Sequence, residues 1–490
     1  MEREAVVQNR IQPNRINAIA SHPIPFAGLI LFTLLLYLRP NEMFPAIFGT
    51  FPLVKIVAIV TLIAYAVSKI STGEPLTVWT IELTMLSIIV GLAILFVPIA
   101  EAPQDSIDTL TEAFLKVVAI FLLMINLINT PQRLRLMIRV VVVSGAFMAA
   151  LTVRAYSLGQ FDPKGIRLVG VVGGIFGNPN DIATSLNLLL PLAVALAFTH
   201  RGLRRALYIG CAAVITAGTV VTFSRGGFLG LVALAAVLVW KLSRKNRPLA
   251  ASTFALVVIV FMAAAPGGYG NRIISIFVPE LDATGSRETR RNLLERAVVV
   301  AANHLIVGVG IGNYHIYSNQ EQKAHNSYLE ISAELGVAGL VAYLILMFAP
   351  LRSLRRFERE LLDKPGSASG VAFPPAHAPP ALEGDERREG YYISVALQAS
   401  LAAYLVCSFF ASIQYLWYLY YILGYAISFR LIRQNLVQQI SESEIAPVPV
   451  VAGGTLWRGA QRGPVWAASS SSQPLNSLVA KDSERRTNWR

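Results

Sequence analysis

The sequence predicts an all-α polytopic membrane protein of about twelve transmembrane helices, with both termini on the cytoplasmic side. Three observations lead there. Of 490 residues, 54% are hydrophobic and only 14% are charged, against roughly 25% charged in soluble domains. The mean hydropathy is +0.54. Apolar runs recur along most of the chain at lengths suited to a bilayer core of ~30 Å, which needs about 20 residues of helix. A disordered chain is excluded. A soluble chain this long would need large charged surfaces that this composition does not supply.

Twelve runs qualify as spans. They lie near 25–38, 51–68, 78–96, 113–128, 134–152 and 183–198, then 206–223, 227–240, 249–265, 327–347, 393–410 and 413–429. The fourth and fifth are joined by a tight turn, as are the seventh and eighth. The first run is followed by many others, so it reads as a span and not as a cleaved signal. Cys211 and Cys407 fall inside apolar runs and read as buried thiols.

The basic excess reports topology. The chain carries 42 Lys and Arg against 29 Asp and Glu, a net +13. With the N-terminus inside, and with Arg135 and Arg139 at the start of the fifth span counted as cytoplasmic, 29 of the basic residues fall on that side and 11 in outer loops. That bias predicts N-in, C-in, and the charge gives no reason to expect nucleic acid. The organisation follows: a cytoplasmic arm over 1–24, a membrane domain over 25–430, and a mostly disordered cytoplasmic tail over 431–490. Residues 352–390 form a cytoplasmic loop. Residues 266–326 form a large outer loop before the tenth span. In that loop Leu293, Leu294, Ala297, Val298 and Ala301 recur at helical spacing, which predicts an amphipathic helix within 287–303.

Four polar clusters fall on the outer face. The first joins Arg167 to Gly177-Asn178-Pro179-Asn180-Asp181. Asn-Pro is a turn signal, and Asn180 or Asp181 can cap the following span. Arg167 has no such local role. The second is Thr222-Phe223-Ser224-Arg225-Gly226-Gly227, a sharp turn between two spans. An arginine near the hydrocarbon boundary either snorkels to headgroups or serves a function. The third is Thr284-Gly285-Ser286-Arg287 with Arg290 and Arg291, where Glu288 and Glu295 are available partners on a solvated face. The fourth is the run Gly308 to Tyr314, then His325-Asn326-Ser327-Tyr328-Leu329-Glu330. The glycine run lacks dinucleotide spacing. His325 either caps the following span or removes a proton from a hydroxyl beside a bound phosphate.

The order of these motifs resembles the O-antigen ligase and polymerase superfamily of bacterial membrane glycosyltransferases. The matching parts are Arg167 to Gly170, Gly177 to Asn180, Ser224 to Gly226, Thr284 to Arg291, Gly308 to Tyr314 and His325 to Glu330. Glu334-Leu335-Gly336-Val337 with Gly339 follows. The resemblance is strongest over 166–346. One departure is Leu294, where the family pattern has Trp after the loop arginine. That leaves Arg290 as the first choice for this loop's arginine and Arg291 as the second.

The resemblance implies a glycosyltransferase of the inner membrane whose active site faces the periplasm. It implies an undecaprenyl-diphosphate-linked glycan as donor. The acceptor would be the lipid A core, another glycan or a protein hydroxyl, with ligase as the first reading and polymerase as the alternative. His325 would be the general base. Arg167, Arg225, Arg290 and Arg291 would bind the diphosphate, because guanidinium pairs with phosphate oxygens in a planar fork. Asn178, Asn180, Asn326 and Glu330 would support them. No metal and no cofactor are expected. Two rivals remain. A metal-dependent glycosyltransferase would use outer-loop acids, for which Glu42 or Glu101, Asp105, Asp108 and Glu112 are the candidates. A lipid-linked sugar transporter would show repeated halves and broken mid-membrane helices, and neither is visible.

Overall fold

A computed structural model describes residues 22–48, 51–161, 168, 177–243, 248–249, 251–252, 254–255, 286–318, 321–362 and 384–445. Among them the chain is helical throughout, apart from turns and an isolated bridge between Phe161 and Leu168. The longer helices are α1 (Pro23–Leu38), α2 (Leu53–Ser71), α3 (Ile81–Phe96), α4 (Leu115–Leu127), α5 (Pro131–Ser157) and α6 (Pro179–Thr199). They continue as α7 (Gly202–Val221), α8 (Arg225–Leu242), α9 (Ser286–Asn303), α10 (Ser327–Leu362), α11 (Gly384–Cys407) and α12 (Trp417–Ile445). The chain divides into a unit of Met1–Ser441 and a unit of Glu442–Arg490. Of the latter only the end of α12 is described.

Ten described helices are long and apolar enough to cross a membrane, so the chain is an all-α polytopic membrane protein. Two of the twelve expected runs stand apart. The run at 249–265 lies mostly outside the described residues. The last run is a helix, α12, but four tyrosines lower its hydropathy. Tyr418, Tyr420, Tyr421 and Tyr425 are all buried. Tyr421 hydrogen bonds with Thr33 of α1 at 3.0 Å, and Gly424 packs on Met124 of α4. The helix is too polar to look like a lipid-facing span because its rings face protein. It also runs on to Ile445, past the expected end near 430.

The tight turns are borne out. Three residues separate α4 from α5, and Thr130 caps α5 by accepting the Arg133 N–H at 3.3 Å. Three residues separate α7 from α8. α6 is the most enclosed span and packs against α5, α7, α8 and α11. Bilayer lipid offers helices no hydrophobic reason to associate, so close packing and polar links hold them. Asn187 of α6 donates to the Gly227 carbonyl at 2.7 Å, Ser400 of α11 donates to Leu188 at 2.7 Å, and the Tyr343 and Tyr404 hydroxyls meet at 2.8 Å.

One end of the bundle gathers the starts of α6, α8, α10 and α12 with the ends of α3, α7 and α11. The other end holds ion pairs. Arg430 binds Glu82 through two hydrogen bonds of 2.6 Å, Arg135 pairs with Glu389 at 2.6 Å, and Lys241 pairs with Glu358.

Candidate active site

The expected clusters collect at the first of these ends. At the start of α6, Asn178 is the helix cap, and its side chain accepts the Asn180 N–H at 2.9 Å. Asn180 then reaches the next cluster, where its side-chain oxygen accepts the Ser224 hydroxyl at 2.7 Å. Ser224 caps α8 by accepting the Gly227 N–H at 3.1 Å. Arg225 is therefore the first residue of α8, half-buried. Glycine at 227 is required by the approach to α6, since a Cβ there would overlap Ala183.

The turn between α11 and α12 ties this pair to the histidine cluster. Cys407 donates to the Gly226 carbonyl at 3.5 Å. On its other flank the Ser327 N–H donates to the Ser408 carbonyl at 2.8 Å, and the Ser327 hydroxyl donates to Ala411 at 2.7 Å. Asn326 is a buried helix cap, accepting the Tyr328 and Leu329 N–H groups, each at 3.0 Å. His325, just outside the cap, is half-buried and left-handed, with φ 52°. Phe223 holds the equivalent place before the Ser224 cap, with φ 56°. Such backbones cost a non-glycine residue about 1–2 kcal/mol and persist only where the surroundings impose them.

Glu330 imposes one of them. Its buried carboxylate accepts the Ala324 N–H at 2.9 Å, the Gln414 amide at 2.9 Å and the Ser412 hydroxyl. This fixes the residue before His325 and the α11–α12 turn together. One turn further on, Glu334 accepts the Gly312 N–H at 3.0 Å and the Tyr415 hydroxyl at 2.8 Å.

The glycine run packs against a break in α10. Gly336 has φ 68° and ψ −173°, which frees two carbonyls of the preceding turn. Val309 N–H donates to Ala333 at 2.9 Å and Gly310 N–H to Glu334 at 3.0 Å. Asn313, fully buried, then joins the segment to the loop after α3. It donates to Ala102 at 3.0 Å and to Ser106 at 2.8 Å, and accepts the Ala102 N–H at 2.8 Å. Beside it, His315 lies 3.5 Å from Asp105.

α9 covers this segment. Leu293, Ala297, Val300 and Ala301 are buried, whereas Val298 is exposed, so Val300 takes the place expected of Val298. Tyr314 donates to Leu293 at 3.2 Å, and Arg296 donates to Tyr317 at 2.7 Å. Burial, then the Glu330 carboxylate, pushes the Tyr314 hydroxyl up to about 12. Arg290 is half-buried on α9, while Arg291 is exposed and pairs with Glu295 at 2.8 Å. Arg167 lies outside the described residues.

Some residues of this end were not singled out from the sequence as parts of the site. Asp181, beside Asn180, has Tyr418 and Lys323 as its electrostatic neighbours. Lys323 stands two residues before His325. Glu334 sits inside a quoted motif, yet its partners are visible only in the fold. Asp105 appeared only as a candidate metal ligand. Among the described residues no three His, Cys, Asp or Glu side chains cluster as metal ligands.

Residues 209–344 match the family model for O-antigen ligase. That range contains Arg225, Arg290, Arg291, His325 and Glu330, and ends before the α11–α12 turn. Arg167, Asn178 and Asn180 fall outside it. No curated protein matches the chain significantly.

Proposed function

We propose that this chain, a multi-pass membrane protein carrying an O-antigen ligase domain over residues 209–344, transfers a glycan from undecaprenyl diphosphate to an acceptor hydroxyl. The N-in, C-in reading puts the reaction on the periplasmic face of the inner membrane. The observation that carries the proposal is the joining of three motif turns at one end of the bundle. Asn180 binds Ser224, and the Cys407–Ser408 turn binds both Gly226 and Ser327. Arg225 and His325 thereby stand at helix starts tied to the same turn.

The chemistry follows from that placement. The acceptor oxygen attacks the anomeric carbon while its proton passes to the His325 imidazole. The bond from that carbon to the diphosphate oxygen breaks, and the electron pair leaves with the lipid diphosphate. Arg225, Arg290 and Arg167 stabilise the growing negative charge, with Arg291 supplementing them from the exposed face. Low dielectric near the bilayer strengthens each interaction. The starts of α6, α8 and α10 add the positive ends of their dipoles. Asn178 and Asn326 act as caps, and Asn180 and Glu330 hold the turns in place. Arginines take the charge-neutralising part that a metal plays elsewhere, so activity persists in excess chelator.

The test is incubation of purified protein with undecaprenyl-diphosphate glycan and, separately, lipid A core, glycan and peptide acceptors. The wild type should form one coupled product, whose acceptor identifies ligase or polymerase. His325→Ala and Arg225→Ala should each lose transfer by at least about 100-fold. Near-normal transfer by both variants overturns the site assignment. Movement of unchanged donor across liposomes would instead support a transporter.

A further inference from the structure

The end of the bundle away from the candidate active site holds a cavity of about 330 Å³ between the α6–α7 turn and the start of α11. The active-site end holds the start of α6 and the end of α11, so the cavity opens at the other membrane boundary. Arg201, His200, Asp385, Arg388 and Glu389 line it, with Phe198.

The charges are not evenly matched. Glu389 is paired with Arg135 at 2.6 Å. Arg201 and Arg388 then face one further carboxylate, Asp385. The Arg388 side chain is positioned by the Phe198 carbonyl, to which it donates at 3.1 Å, and lies 5.8 Å above the Tyr392 ring. Tyr392 in turn stacks on Phe198, with ring centres 5.1 Å apart. His200 is held as well. The Leu196 carbonyl can only accept, so Nδ1 at 2.9 Å carries the proton, and Nε2 faces Arg139 at 3.5 Å. The Arg139 Nε is buried with no hydrogen-bond partner among the described residues. Arg204 and Arg205 follow Arg201 on the first exposed turn of α7.

An apolar stripe runs beside these arginines. Leu203 and Leu207, one turn apart on α7, are 87% and 55% exposed. A guanidinium cluster at the membrane boundary, flanked by exposed leucines, matches a phosphodiester that carries acyl chains. A soluble phosphodiester would make no use of the leucines.

We propose that this cavity binds the headgroup of an anionic phospholipid, with Arg201 and Arg388 on the phosphate and the acyl chains along Leu203 and Leu207. The test uses the full-length protein in nanodiscs of phosphatidylcholine containing increasing phosphatidylglycerol, with bound lipid counted by native mass spectrometry. The wild type should retain phosphatidylglycerol over phosphatidylcholine. Arg201→Gln, at an exposed position, should reduce that retention about fivefold. Asp385→Asn should increase it, an effect that misfolding does not produce. Equal retention of the two lipids, or no change in either variant, overturns the proposal. Displacement of the lipid by equimolar glycerophosphoglycerol, which lacks acyl chains, would mean a soluble ligand and would overturn it too.

Discussion

The carboxylate of Glu330 accepts the backbone N–H of Ala324 at 2.9 Å, so a residue inside α10 holds the residue immediately before His325. The Gln414 amide and Ser412 hydroxyl complete the same carboxylate. Glu330→Ala would leave three donors without their acceptor. A buried donor left so costs about 1–3 kcal/mol, so Glu330→Ala should lower the melting temperature clearly. Glu330→Gln keeps one acceptor oxygen and should fall between. If Glu330 acts by holding the His325 turn, Glu330→Gln lowers kcat with KM nearly unchanged. A rise in KM alone would assign it to substrate binding instead.

The helices were legible in the sequence because a bilayer imposes run length on them. The caps were legible too, since Asn178-Pro179 and Ser224-Arg225-Gly226 carry their turn chemistry locally. Glu334 was different. Its bond to Gly312 spans 22 positions, and the segment that carries Gly312 docks on the Ala333 and Glu334 carbonyls beside the break at Gly336. No local pattern announces that break inside an apolar run. Asn313 likewise meets Ala102 across 211 positions. The loop after α3 therefore read only as a source of candidate metal-binding acids, although Asn313 ties it to the glycine run. In α12 the sequence marked a span but not that its tyrosines are buried against protein. In α9 the spacing selected Val298, but the packing surface takes Val300.

The break in α10 makes two glycines irreplaceable. At Gly336 the backbone has φ 68° and ψ −173°, a region open to glycine and little else. A Cβ there would also stand 2.8 Å from the Ile306 carbonyl oxygen. At Gly308 a Cβ would overlap the Glu334 carbonyl oxygen. Gly336→Ala and Gly308→Ala should each cost at least about 1–3 kcal/mol. Because the break seats the 305–313 segment, limited proteolysis should show new cleavage there. Variants with wild-type cleavage patterns and full transfer would show that the segment tolerates side chains.

The Glu82 to Arg430 pair predicts an asymmetry between single and double substitutions. Glu82 has no exposed side-chain surface, and both its oxygens accept from Arg430 at 2.6 Å. Arg430→Ala leaves a buried carboxylate uncompensated, which costs about 3–5 kcal/mol. Replacing both, as Glu82→Leu with Arg430→Met, removes the two desolvation penalties together and should restore most of the stability. Thermal unfolding in detergent decides this. Equal losses in the single and double variants would mean that the pair contributes more than each charge costs.

Glu74 predicts an acid-sensitive contact between the first two spans. Hydrogen bonds from Lys69 and then from His22 hold its carboxyl below the usual range. Lys69 lies 2.6 Å from it and His22 3.2 Å. The direction sets the sign. A carboxyl whose folded pKa is depressed contributes stability above its unfolded pKa of about 4.3 and loses it as pH falls through the folded value. Glu74→Gln should therefore melt below wild type at pH 6–7, and the two curves should converge as the pH drops under about 4. Glu74 has 43% of its side chain exposed, so salt should shrink the difference at neutral pH. A gap that persists unchanged at pH 3 would show that the variant acts through packing and not through the charge.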